Sequence, residues 1–204
     1  MIADEHPTDR PPAGRHWCLV LAAGGSRRLG RPKQFVTLAG RPLVELACRR
    51  ALATRPAGVV VVVGAHASRT GALLRALPVR VVANRAWRAG LSSSLRAGLA
   101  RIPASAPSVL VTTVDQWRVD AADLRRLLGT RGPAAACYEG ARGVPALLPR
   151  AWRPRLRALD GDRGARALLA GADVRAVPIP TARVDLDTPA DLASLRRRRW
   201  RRQG

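Results

Sequence analysis

Three stretches of this chain are apolar at almost every position instead of every second one: Trp17-Cys18-Leu19-Val20-Leu21, Val59-Val60-Val61-Val62-Val63 and Ser108-Val109-Leu110-Val111-Thr112-Thr113-Val114. A strand with no polar face must be covered on both sides, which is the condition of a parallel sheet lying between two helix layers. The segments between them read accordingly. Helical spacing over residues 42–53, 67–77, 93–101 and 120–128 alternates with short strands at 79–83 and 134–138, a succession of βα units. Residues 143–148 read as a short extended piece before a helix near Pro149, Asp162-Arg163-Gly164-Ala165-Arg166 opens another helix, and 174–178 and 183–187 look extended. Thr188-Pro189-Ala190-Asp191 begins the last helix, with proline in the first turn and an acid three residues after the threonine. The expected fold class is α/β: a single domain, Rossmann-like, three layers deep, with a mostly parallel sheet. In such sheets ligands bind beyond the carboxyl ends of the strands.

At 204 residues the chain suits one core. Aromatic residues are only 3% while apolar residues are 47%, so the interior must be built from Val, Leu and Ala. Residues 1–16, with three prolines and mixed charge, read as a disordered tail without the apolar stretch of a signal peptide, 17–195 as the domain, and 196–204 as a basic tail. Cys18, Cys48 and Cys137 are widely spaced and form neither a metal pattern nor a disulfide framework, and His6, His16 and His66 are isolated. With no run long enough to span a membrane, a cytoplasmic location is expected. The formal net charge is +22, but the arginines are scattered, with one block at Arg196-Arg197-Arg198-Arg199-Trp200-Arg201-Arg202. Scatter of this kind follows from a drift toward Ala, Arg, Gly and Pro and does not call for a nucleic-acid partner.

Against that drift one residue stands out. Lys33 is the sole lysine among 36 basic residues, and it closes the glycine-rich run Ala22-Ala23-Gly24-Gly25-Ser26-Arg27-Arg28-Leu29-Gly30-Arg31-Pro32-Lys33 that follows the first strand. A compact ammonium fits a crowded phosphate cluster where a wide guanidinium does not. Consecutive small residues let backbone N–H groups turn toward a polyanion. The spacing of Gly24, Gly25 and Gly30 excludes the dinucleotide fingerprint, and Arg31-Pro32 after Gly30 excludes a Walker loop.

Asp115 ends the 108–114 strand on the side where the glycine loop emerges, and Asp185 and Asp187 lie further on in a chain with 14 acids. Two carboxylates facing a phosphate loop are how a protein holds Mg²⁺ against a triphosphate. Alternation would put 185 and 187 on one face of a strand; only one of them need bind metal, and Asp187 is also placed to cap the following helix. Gly90-Leu91-Ser92-Ser93-Ser94 offers N–H groups and hydroxyls at a strand-to-helix junction, one serine being expected as the N-cap.

Five ordered blocks now match a family. Leu21-Ala22-Ala23-Gly24-x-Ser26-x-Arg28-Leu29-Gly30-x-Pro32-Lys33-Gln34, Gly90-Leu91-Ser92-Ser93-Ser94-Leu95-Arg96-Ala97-Gly98-Leu99, Asp115-Gln116, Gly161-Asp162-x-Gly164-Ala165-Arg166 and Asp185-Leu186-Asp187-Thr188-Pro189-x-Asp191-Leu192 resemble the motifs of the MobA-like nucleotidyltransferases, with the molybdenum cofactor cytidylyltransferases as the nearest branch. The resemblance implies the nucleotidyltransferase fold and a Mg²⁺-dependent transfer of CMP from CTP to the terminal phosphate of a molybdopterin cofactor, with pyrophosphate released. It implies a triphosphate held by Ala22, Ala23, Gly24, Gly25, Ser26, Arg28 and Lys33, and Ser94 near the base or ribose. It places metal on Asp115 and Asp185, catalysis on Arg28, Lys33 and Asp115, and the acceptor on Asp162, Gly164 and Arg166. Alanine at position 23 is similar to the cytidine branch, and a second glycine there to the guanosine branch. A molybdoenzyme is the implied protein partner.

Two positions depart from the family pattern: Trp117 stands where proline usually follows Asp-Gln, and Gly143-Val144-Pro145 where Gly-His-Pro is usual. Both bear on the acceptor. A cytidylyltransferase for another phosphorylated acceptor, of the isoprenoid-precursor kind, shares the glycine loop and Pro-Lys-Gln. A non-catalytic cofactor-delivery factor is a further reading, but it has no need of Lys33, Asp115 and Asp185 together.

Overall fold

The five valines of residues 59–63 cannot be shared with water, and the fold encloses them completely. A computed structural model describes residues 16–159 and 167–200 of the chain, with side chains to 195. The first strand, β1 (Trp17–Ala22), leads through the glycine loop to a two-residue hairpin, β2 (Thr37–Leu38) and β3 (Arg41–Pro42), and then to α1 (Leu43–Leu52). There follow β4 (Gly58–Val63), α2 (Ala67–Leu74), β5 (Arg80–Ala83), α3 (Leu91–Leu99), β6 (Ser108–Thr113) and α4 (Ala121–Leu128). The last part holds β7 (Ala134–Tyr138), β8 (Ala141–Pro149), α5 (Arg153–Arg157), β9 (Arg175–Pro178) and α6 (Pro189–Trp200).

Seven strands form one sheet in the order β5-β4-β1-β6-β8-β7-β9. β1 lies between β4 and β6, parallel to both, with Leu21 opposite Val62 and Thr113. β8 is antiparallel to β6 and β7, while β7 and β9 are parallel, so one strand runs against the rest. Alternation along β1 divides the core. Cys18, Val20 and Ala22 face a layer with α1, α4 and α6, whereas Leu19, Leu21 and Ala23 face α3 and α5. The result is the Rossmann-like three-layer fold.

Three local expectations are corrected. The extended piece expected at 143–148 is a nine-residue strand, β8, paired on both sides. Gly143 and Pro145 disguise it, since both weaken a strand reading; the structure accommodates Gly143 by laying the Tyr138 hydroxyl over it, 2.6 Å from where a Cβ would stand. Residues 183–187 are not a strand: a 3-10 turn at Pro180–Arg183 gives way to irregular chain. No serine caps α3, because the helix starts at Leu91 with Gly90 as its N-cap, at φ 96°. With ψ at −175°, that combination is open essentially to glycine alone. Among the described residues no helix is long and apolar enough to cross a membrane.

Candidate active site

The glycine loop leaves the carboxyl end of β1 and is pinned from below by Gln34. Its Nε2 donates to the carbonyls of Ala22 (2.9 Å) and Gly24 (2.7 Å). In a trans peptide the carbonyl and the next N–H point in opposite directions. The N–H groups of Ala23 and Gly25 are therefore directed away from Gln34. A Cβ added at Gly24 would have nothing within 4 Å, so no neighbour in the protein requires glycine there. Gly25 differs: a Cβ would stand 3.0 Å from the Trp87 indole, whose Cγ also lies 2.8 Å from the corresponding point on Gly64. Ser26 takes a φ of 54°, and its hydroxyl accepts from the Lys33 N–H at 3.0 Å. This closes the loop onto the 3-10 turn Lys33–Phe35.

Lys33 is the centre of the site. Its Nζ donates to Asp115 Oδ2 at 2.8 Å and to Asp187 Oδ1 at 2.7 Å, with 11% of its side chain exposed. Burial works against charge on Lys33, but Asp115 and Asp187 outweigh it and hold the ammonium above the usual lysine range. Arg28 reaches over from the loop and donates to Asp187 Oδ2 at 2.7 Å. Asp115 also fixes the opposite segment through its backbone, because its carbonyl accepts from the Leu186 N–H at 3.1 Å. Leu186 is fully buried, so Asp185 and Asp187 emerge on either side of an anchored residue.

Asp185, expected as the second carboxylate on the metal, is not the one that pairs with Lys33; that ion pair is made by Asp187. The reason is the irregular chain at 184–187, where the alternation rule does not apply. The helix cap comes from Thr188 and Asp191 instead: Asp191 Oδ2 accepts from the Thr188 N–H (2.7 Å) and hydroxyl (2.8 Å). Asp185 remains electrostatically part of the cluster. Its pKa is pushed up to about 7, by burial first and then by the charges of Asp115 and Asp187, against the pull of Lys33.

Gln116, buried beside Asp115, ties three segments together. Its Nε2 donates to Val144 (2.7 Å) and Ala182 (3.0 Å), and its Oε1 accepts from the Thr113 hydroxyl (3.2 Å). Trp117 turns into the core, with 5% exposure.

Two cavities share this wall. One, about 340 Å³, is bounded by Ala23, Gly24, Arg27, Lys33 and Asp115 at its polar end and by Trp87, Leu91 and Ser94 at the other. The second, about 720 Å³, opens beyond Asp185 and Asp187 toward Arg118, Cys137, Tyr138 and Arg183. The structure thus brings together Ala23, Gly24, Lys33, Ser94 and Asp115 around one cavity and Asp185 at the rim of the next, with Arg28 bridging to Asp187. Asp162, Gly164 and Arg166 lie outside the described residues. Sequence reasoning gave no role to Gln116, Asn84 or Trp87; the scarcity of amide side chains in so arginine-rich a chain was the available signal for the first two.

The pattern of the MobA-like NTP transferase domain matches residues 18–177, most of the chain and all of the glycine loop, Lys33 and Asp115. The chain belongs to that family. As a MobA-like nucleotidyltransferase it is 34% identical to a molybdenum cofactor guanylyltransferase of Rhodobacter capsulatus over 187 residues, 86% of this chain and 92% of that one. It is 36% identical to a 2-C-methyl-D-erythritol 4-phosphate cytidylyltransferase of Halorhodospira halophila over 161 residues, 73% of this chain and 62% of the relative's length. Rv0371c of Mycobacterium tuberculosis H37Rv, solved as a complex with manganese, superposes with a TM-score of 0.74 at 26% identity, covering 88% of this chain and 97% of that one. The two curated relatives transfer different nucleotides, so base and acceptor must be argued from this MobA-like transferase's own residues.

Proposed function

We propose that this transferase moves CMP from CTP to the terminal phosphate of a molybdopterin-type pterin cofactor and releases pyrophosphate. The observation that carries the reading is Lys33 held between Asp115 and Asp187 on the wall common to two cavities. In this reading the triphosphate lies over Gly24, Gly25, Arg28 and Lys33, and the acceptor enters the 720 Å³ cavity. Alanine at position 23, similar to the cytidine branch, favours cytidine.

The donor set fits Mg²⁺. That ion takes one or two carboxylates and completes its shell with phosphate oxygens and water. Among the described residues no group of three or more His, Cys, Asp or Glu encloses a metal unaided, in keeping with a site the nucleotide completes. Asp115 and Asp187 are the carboxylates we assign to it, with Asp185 beside them. Bound there, Mg²⁺ would neutralise charge on the triphosphate. The manganese complex of Rv0371c supports a divalent ion in this fold.

The acceptor phosphate is already ionised near neutral pH, so no side chain need remove a proton. One of its oxygens attacks the α-phosphorus, the bond from that phosphorus to the α–β bridging oxygen breaks, and pyrophosphate leaves. Lys33 and Arg28 contribute alignment and positive charge where negative charge builds up. The test is pyrophosphate release with each of the four NTPs and Mg²⁺, with and without molybdopterin. Release with CTP only when molybdopterin is present is the expected result; release that depends instead on 2-C-methylerythritol phosphate would transfer the assignment to the isoprenoid-type reading.

A further inference from the structure

Asn84 is the sole asparagine of the chain, as Lys33 is the sole lysine. It follows β5, is 7% exposed, and its backbone N–H is fixed to the Val63 carbonyl at 2.8 Å. Its side-chain orientation follows from a neighbour of fixed polarity. The Ala86 N–H can only donate, so the oxygen of the Asn84 amide must face it, at 3.0 Å. The amide nitrogen then faces the α3 serines and donates to Ser93 Oγ (2.9 Å) and Ser94 Oγ (3.1 Å).

Both hydroxyls accept from Asn84, so each has one hydrogen left to place. Ser93 directs its hydrogen to the carbonyls of Gly90 (2.8 Å) and Ala86 (3.0 Å). Ser94 has no such acceptor among the described residues, and it lines the 340 Å³ cavity although only 4% exposed. The hydroxyl therefore confronts a ligand as a donor. A buried donor left without a partner is penalised, so the cavity favours a ligand with an acceptor at that point.

We infer that Asn84 is a specificity-determining positioning residue, which sets Ser94 as a hydrogen-bond donor toward the nucleotide base and so selects cytosine over guanine. The inference rests on the nucleotide reading given above. Cytosine presents two adjacent acceptors, O2 and N3, on its pairing edge, whereas guanine presents N1–H and an amino group on much of the same edge. Trp87, packed across Gly25 and Gly64, lines the apolar end of the same cavity.

The test is equilibrium binding of CTP and of GTP, each with Mg²⁺ and without acceptor, by titration calorimetry on the full chain. Wild type is expected to prefer CTP. Ser94→Ala should weaken CTP about tenfold and GTP by less than about threefold. Asn84→Asp keeps an acceptor for Ala86 but forces Ser94 to donate inward, so its lone pairs face the cavity. The CTP-to-GTP affinity ratio should then fall about tenfold or more, and the double variant should match Ser94→Ala, because the effect passes through that hydroxyl. An unchanged ratio in folded Asn84→Asp overturns the inference. Should that variant not fold, equal weakening of both nucleotides by Ser94→Ala overturns it. Wild type that binds neither nucleotide removes this inference and the nucleotide reading together. Selective CTP binding without transfer to molybdopterin removes only the acceptor assignment and leaves the role of Asn84 standing.

Discussion

Lys33 Nζ lies 2.8 Å from one carboxylate and 2.7 Å from another, in a space closed by the glycine loop. A guanidinium is planar, wider and set further along its chain, so it cannot meet both oxygens from the same backbone position. Lys33→Arg is accordingly expected to lower kcat in the pyrophosphate assay about a hundredfold, nearly as much as Lys33→Ala. Retention of a third or more of the activity by the arginine variant would mean that any positive charge suffices. Asp185 leads to a pH prediction. Its folded pKa of about 7 stands above its ordinary 3.8, so the folded protein holds an extra proton between those values and loses stability from this group as pH rises through about 4 to 7. His16 acts in the opposite sense. Burial against Thr54 lowers it to about 4, so its contribution is lost as pH falls from about 6.5 toward 4. Melting temperatures measured with chelator across pH 4–7.5 should show Asp185→Asn gaining on wild type as pH rises; parallel curves would exclude the Asp185 effect. Lys33 and Asp115 were legible in the sequence because a rare residue type coincided with a strand end. The direct carboxylate partner at 187 was not, because period-two alternation holds in strands and this segment leaves the sheet.

Among elements, the glycine loop and the turn before α3 interlock through Trp87. Gly24 in the loop and Gly64 beneath it therefore have different jobs, which substitution separates. Gly24→Ala meets no neighbour and should leave the melting temperature within about a degree, while raising the KM for nucleotide if its backbone approaches phosphate. Gly64→Ala places a methyl 2.6 Å from the Ala23 carbonyl and 2.7 Å from Trp87 Cβ, and should cost about 1–3 kcal/mol, read as a drop of several degrees. Equal melting temperatures for the two variants would contradict this division. The parallel elements β1, β4 and β6 were readable because wholly apolar runs have few alternatives. β8 was not: its pairing is set by β6 and β7, on either side, and glycine and proline within it speak locally against a strand.

For the whole molecule, a net charge of +22 surrounds a site whose expected ligand is a polyanion. Long-range attraction of this kind increases encounter and is screened by salt. Between about 50 and 500 mM salt, kcat/KM for nucleotide should fall several-fold, mostly through KM. A flat salt profile would make the charge incidental to catalysis. Three-layer packing around one central sheet followed from composition and alternation, since few aromatic rings and many small aliphatic residues leave little else to build a core from. The second cavity was the least legible, because it is assembled from the β7–β8 turn, Arg118 and the irregular chain before α6, with no continuous motif.

Both oxygens of Asp187 are engaged, one by Lys33 and the other by Arg28. On the metal assignment proposed above, a solitary divalent ion would have to compete with two cations already seated on Asp187. A polyphosphate arriving with its counter-ion would offer those same cations a richer anion and draw them off. Such an arrangement would favour the loaded nucleotide over stray metal.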